Sequence, residues 1–231
     1  MTTTDQQLIA LYHSIDQRGR QQLRARQITG DAVLANQRRD DRRGLTLLAT
    51  PPAHVARNIQ YCLAALRSSF PELYYYPSTD LHITILDLLQ ATDHFQLSTT
   101  EFEHYRRLVA QVLSQSRPVE WTIKGVYLSP AGVLVGGFYS PNLTTIRDYI
   151  RQQCHNQGLP ITERYQTTSG HLTVARFITP PTEGDKLSQA VGRLAQLNFG
   201  TFTSRQFSLV VHDWYNSQVD QLAILPIGQR A

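Results

Sequence analysis

The stretch LHITILDL, residues 81–88, returns as GHLTVARF, residues 170–177, and this duplication limits the possible folds more than any other feature. In an extended chain successive side chains point to opposite faces, so His82 and Thr84 share one face and Ile83 and Ile85 the other. His171 and Thr173 share a face in the same way, opposite Leu172 and Val174. With 8 His and 41% apolar residues, the pattern His-apolar-Thr-apolar is expected roughly 0.1 times by chance, so two copies carry information that one would not. For a single copy, an amphipathic strand with His and Thr merely facing water would be an adequate reading.

The surroundings repeat too. Aligning His82 with His171 also aligns Pro71 with Pro160, Tyr76 with Tyr165 and Thr79 with Thr168, without a gap. Further upstream, after one residue of slippage, Thr50-Pro51 matches Ser140-Pro141 and Arg57 matches Arg147. Each unit reads as strand, Pro-initiated helix, Pro-containing loop and His-x-Thr strand. Two long repeats suggest two lobes around a pseudo-twofold axis, whereas many short ones would suggest a solenoid.

Two His-x-Thr motifs about 90 residues apart, the second as HLTVAR, resemble the 2H phosphoesterase superfamily, which includes 2′-5′ RNA ligase-like proteins and cyclic nucleotide phosphodiesterases. The resemblance covers roughly residues 44–227. It implies an α+β fold of two lobes, each with an antiparallel sheet and helices packed outside, and one His-x-Thr strand from each lobe on the floor of the cleft between them. It carries catalytic roles only to His82, Thr84, His171 and Thr173. The first motif has Asp87 where the second has Arg176, so the lobes are not chemically equivalent.

At 231 residues, with 17% charged side chains, the chain can bury a proper core as a globular protein. Of its 22 basic residues all but Lys124 and Lys186 are Arg, whose planar fork suits phosphate. No apolar run of about twenty residues occurs, and the start MTTTDQQ lacks a basic stretch followed by an apolar core. A cytoplasmic monomer without membrane association is expected. Cys62 and Cys154 both fall in predicted helices and read as reduced thiols.

Leu8, Leu11, Tyr12 and Ile15 lie at helical spacing from Asp5 onward, with Thr3 or Thr4 as a cap. Residues 18–43 then carry eight Arg against Asp31, Asp40 and Asp41, and read as a second helix on the core or a partly mobile arm. Residues 1–44 hold eight basic and five acidic side chains, so +3 of the +4 net charge sits here. A solvated face and a non-specific contact with nucleic-acid phosphates are both open. Residues 1–43 thus form an N-terminal helical basic extension, and 44–231 the bilobal domain.

Apolar periodicity predicts strands at 45–50, 119–128, 133–139, 202–211 and 219–227, and helices at 53–68, 99–114, 142–155 and 184–197. Residues 129–132 join two of these strands as a hairpin. Tyr74, Tyr75 and Tyr76 are placed in a loop, where they either stack a base or pack beneath it. Between the last two strands, Trp214 and Tyr215 form either an aromatic plug on a sheet edge or an exposed platform for a base or ribose. His212 lacks a following Thr and is not a third motif.

Two imidazoles titrate near neutrality, so one can accept a proton while the other donates one. That pair suits phosphodiester cleavage. Thr84 and Thr173 would donate to the non-bridging oxygens as charge builds there. Zinc needs a third ligand, and Asp87 falls opposite His82 in a regular strand, so no metal or other cofactor is expected. Arg176 reaches the His171 face only if its strand bulges or ends, and Tyr139 is a further substrate-contact candidate. The expectation is a metal-independent phosphodiesterase acting on a 2′,3′-cyclic phosphate or a 2′-5′ linkage of a nucleotide or RNA, with ligase activity the lesser option. The alternatives are an RNA- or nucleotide-binding module that holds a phosphate without turnover, and a purely structural protein.

Overall fold

The computed structural model describes residues 2–36 and 38–228. Its elements run α1 (Thr3–Arg24), α2 (Ala32–Ala35), β1 (Arg43–Ala49), α3 (Ala53–Cys62), α4 (Ala64–Ser69), β2 (Tyr74–Tyr75), β3 (Ile83–Thr92) and α5 (Thr99–Ser114). The second half adds β4 (Val119–Ser129), β5 (Gly132–Tyr139), α6 (Asn142–Asn156), β6 (Leu172–Arg176), α7 (Gly184–Arg193), β7 (Asn198–Ser204), β8 (Gln206–His212) and β9 (Val219–Pro226). Every strand pairing is antiparallel. The sheets are β3-β1-β8-β9 and β2-β6-β5-β4-β7. The two-lobed α+β expectation therefore holds.

The duplicated units fall one in each sheet, with β1 beside β3 and β5 beside β6. Their connections cross over. The α3 side chain of Asn58 donates to Phe199 O in the second sheet, while Arg147 of α6 donates to Ile85 O in the first. Likewise β2 pairs with β6, and Thr162 N donates to Leu88 O. Each unit thus clasps the other, which is what a pseudo-twofold arrangement needs to close.

Three local readings are corrected. The predicted strand at 202–211 is two strands, because the chain leaves one sheet after Ser204 and enters the other at Gln206, within the polar run Thr203-Ser204-Arg205-Gln206. Tyr74 and Tyr75 form a short strand rather than a loop, opposite Arg176 and Ala175. The helix predicted at 53–68 breaks into α3 and α4 around Leu63. By contrast α5 has the predicted bounds, fixed by a capping box between Ser98 and Glu101.

The N-terminal segment is part of the core. The cap of α1 is Thr2, one residue before the earlier of the two caps expected at Thr3 or Thr4, because Thr2 and Asp5 cap each other reciprocally. It extends to Arg24 and buries Leu8, Tyr12 and Leu23 against β4, β5 and α7. Arg20 donates to Ser188 O on α7, and Asp16 accepts from Leu128 N at the end of β4. Burying three such side chains contributes on the order of 1.5–3 kcal/mol each. Among the described residues no helix is long and apolar enough to cross a membrane.

Candidate active site

The duplicated strands share one irregularity. Opposite β1, Leu86 pairs with Leu47 and Thr84 with Leu48, so Ile85 is an extra residue. Opposite β5, Ala175 pairs with Val133 and Thr173 with Leu134, so Val174 is extra in the same way. Each insertion is a β-bulge, which reverses the side-chain phase beyond it. Burial follows the reversal, since Ile85-Leu86 and Val174-Ala175 are consecutive buried pairs, each flanked by half-buried polar residues. Asp87 therefore lies on the same face as Thr84, correcting the regular-strand expectation, and Arg176 lies on the same face as Thr173.

One cleft between the lobes is lined by His82, Thr84, His171 and Thr173, together with Asp87 and Arg176. The two His-x-Thr motifs do converge. His82 Nδ1 sits 2.9 Å from Asp80 O, and a carbonyl can only accept, so this nitrogen carries a proton and the neutral ring has its lone pair on Nε2. His171 Nδ1 sits 2.7 Å from Ser169 Oγ, which can donate or accept.

The two rings differ in their charged neighbours. Burial, the His82 ring and the guanidinium groups of Arg176 and Arg147 push His171 down from 6.5 to about 4. Burial also lowers His82, as does Arg176, but the Asp80 carbonyl and the carboxylates of Asp213 and Asp80 oppose it. Asp87 accepts from Thr46 Oγ1 at 3.0 Å, and burial raises its carboxyl above the usual range.

Arg176 donates from Nε to Tyr76 Oη at 2.7 Å, and its guanidinium lies 5.4 Å from the Tyr215 ring and 5.9 Å from those of Tyr76 and Trp214. Among the described residues it has no carboxylate partner. Trp214 lines the mouth, with Arg42 at 5.1 Å and Arg164 at 5.6 Å from its ring. Arg42 is itself held by buried Asp40, whose other oxygen accepts from Trp214 N.

Two substrate-contact candidates are misplaced by the sequence reading. Tyr215 is not an exposed platform. It is 3% exposed and donates to Asp31 in the N-terminal segment at 2.7 Å, a long-range interaction no local pattern reveals. Tyr139 is buried behind the cleft, where its hydroxyl donates to Thr168 O and accepts from Arg147. Of the aligned tyrosines, Tyr76 is buried whereas Tyr165 is an exposed cleft residue.

Sequence reasoning also passed over groups that the fold brings in. His212 lines the cleft, edge-on to His82 at 5.7 Å between ring centroids, and burial pushes it down to about 3. Arg147, noticed only as half of a matched pair, is 1% exposed and donates to Ile85 O, Thr84 O and Ser169 O. It satisfies the carbonyl of the bulged residue and ties β3 to the segment leading into β6 from behind. Its counterpart Arg57 is exposed. The signal for the bulges was the doubled apolar pair in TILD and TVAR, which breaks strict alternation. Among the described residues no group of three or more His, Cys, Asp or Glu side chains is gathered as for a metal ion.

No curated protein matches the sequence. Among solved structures, TT0787 of Thermus thermophilus superposes with a TM-score of 0.61 at 16% identity, covering 81% of this chain and 100% of that one. E. coli LigT complexed with 3′-AMP gives 0.54 at 14% identity, covering 81% and 99%. A conserved Agrobacterium tumefaciens protein, ATU0111, gives 0.55 at 12% identity, covering 82% and 88%. At these identities the likeness is one of fold. The model of the 2′-5′ RNA ligase superfamily matches residues 51–216, well over half of the sequence and both His-x-Thr strands, so the chain belongs to that superfamily of 2H phosphoesterases.

Proposed function

We propose that the chain is a metal-independent phosphodiesterase that opens a 2′,3′-cyclic phosphate or cleaves a 2′-5′ linkage in a nucleotide or RNA. The observation that carries the reading is the cleft lined by two imidazoles, His171 among guanidinium groups and His82 with carboxylates that partly offset Arg176, and a Thr hydroxyl beside each. His171, disfavoured as a cation by Arg147 and Arg176, is the general base. Its Nε2 takes a proton from a water, the water oxygen attacks phosphorus, and the bond from phosphorus to one ribose oxygen breaks. His82, with Nδ1 bonded to Asp80 O and acidic groups nearby, is the general acid that protonates the departing oxygen, leaving a phosphomonoester. Thr84 and Thr173 donate to the non-bridging oxygens, and Arg176 offsets the developing charge.

Solved LigT structures hold 3′-AMP, NADP+, ATP and phosphate, and entry of such nucleotides into this cleft belongs to the proposal. The test incubates the protein with 2′,3′-cyclic nucleotides and 2′-5′-linked dinucleotides in the presence of EDTA and follows products by 31P NMR. A phosphomonoester should appear at a rate unaffected by the chelator, and His82→Ala or His171→Ala should each lower it by about 10²-fold or more. Tight nucleotide binding without turnover would make the chain a binding module instead.

A further inference from the structure

We infer that the Tyr12 hydroxyl, carried by α1, is a positioning group for His171. Tyr12 is fully buried and stacks on Tyr127 at 5.1 Å and edge-on to Phe138 at 5.3 Å. Those contacts would hold a Phe as well. The hydroxyl does something more specific, donating to Gly137 O at 2.9 Å and accepting from Gly137 N at 3.2 Å and Gly170 N at 3.1 Å. Burial pushes its pKa up, so it keeps the proton it donates.

Its place in the sheet explains the need. The ladder between β5 and β6 ends at Val135 and Leu172, so Gly137 and Gly170 lie just past the last pair. Their backbones still approach so closely that a Cβ on Gly137 would fall 1.9 Å from Gly170 O. The Tyr12 hydroxyl fills this gap and takes the polar groups that a longer ladder would have paired. Gly170 is the residue before His171.

The segment leading into His171 is held from behind at three consecutive positions. Tyr139 donates to Thr168 O, Arg147 to Ser169 O at 2.7 Å, and Gly170 N donates to Tyr12. Ser169 in turn bonds His171 Nδ1. His82 is held differently, through Asp80 O, which also accepts from Asn216 at 3.2 Å. Helix α1 lies outside the segment that matches the superfamily, so this chain supports one of its two imidazoles with an element the family match does not include.

The kinetic part of the test rests on the proposed function, and an NMR part does not. In full-length Tyr12→Phe the titration of His171, followed through its ring protons, should move up toward the ordinary imidazole value as the strand loosens and water reaches the ring. That of His82 should stay in place. Turnover should fall on the order of tenfold to a hundredfold in kcat with KM little changed, because a slightly misplaced base costs rate more than affinity. If His171 titrates as in the parent and kcat is retained while Tm falls, the hydroxyl is merely structural and the inference is wrong. Should Tyr12→Phe not fold, 4-aminophenylalanine at position 12 keeps the ring and a donor to Gly137 O but accepts poorly from Gly170 N. An unmoved His171 titration there would equally overturn the inference. If the parent hydrolyses no phosphodiester, the functional reading fails and the His171 titration alone decides.

Discussion

His171 is held neutral by its surroundings, with consequences for stability as well as rate. Its folded value of about 4 lies below the ordinary 6.5, so between these limits the unfolded chain binds more protons than the folded one. The contribution of the neutral ring is present above about 6.5 and is lost as pH falls toward 4. An anion between the rings favours the charged form and reverses part of this penalty. Sulfate, whose charge is constant over the range, should therefore raise Tm more at pH 5 than at pH 8. Equal shifts at both values would show that no anion sits between the imidazoles. The same pair should give turnover a bell-shaped pH profile whose two limbs belong to the coupled rings. Thr84→Ala and Thr173→Ala should lose about 10²-fold to 10³-fold in height while the bell keeps its shape, because the acid and base remain. A Thr variant that loses a limb would assign proton transfer to the hydroxyl.

The elements that build the site are two bulged strands and the helix that ties them. Arg147 on α6 donates to two carbonyls of β3 and to one in the segment leading into β6, so Arg147→Met should remove those donors while keeping much of the volume. Each carbonyl left buried without a partner costs about 1–3 kcal/mol, and the expected loss in chemical denaturation is on the order of 3 kcal/mol. Arg147→Lys should recover little, since a single ammonium cannot reach the fork of acceptors. A loss under about 0.5 kcal/mol would show that the network is dispensable. Much at this scale was legible beforehand. The duplicated strands, the hairpin of β4 and β5, and α5 with its Ser98–Glu101 box are set by local period and capping, which sequence displays directly. The bulge at Ile85 is not foreseen, and that at Val174 enters only as the condition for Arg176 to reach the His171 face, because one extra residue leaves only a doubled apolar pair as its trace. The turn-over at Arg205 from one sheet to the other lies in the polar run Thr203-Ser204-Arg205-Gln206, which a single strand at 202–211 passes over. Tyr139 and Tyr215 were misjudged, and the place of His212 beside His82 was not read, because their partners are set by the tertiary fold and not by any local pattern.

At the scale of the whole molecule, the N-terminal segment combines two roles that its charge alone would not separate. Helix α1 belongs to the core, so a chain beginning after Arg24 would expose the surfaces that Leu8, Tyr12 and Leu23 cover, and it should melt well below the parent. Deletion therefore cannot test the segment's basicity, and substitution can. Asp40 anchors Arg42 beside Trp214 at the cleft mouth, while Arg38 and Arg39, just before it, are exposed. They stand four and three residues before Arg42, whose guanidinium lies 5.1 Å from the Trp214 ring. The double variant Arg38→Gln/Arg39→Gln should leave Tm and the turnover of a cyclic mononucleotide as in the parent, since neither side chain reaches the cleft floor. Binding of a single-stranded RNA should weaken. Each Arg–phosphate pair removed lowers the slope of log K against log salt by about 0.7, so two give a change of roughly 1.4. An unchanged slope, measured by fluorescence anisotropy between low and physiological salt, would mean that the extension's charge is only a solvated surface.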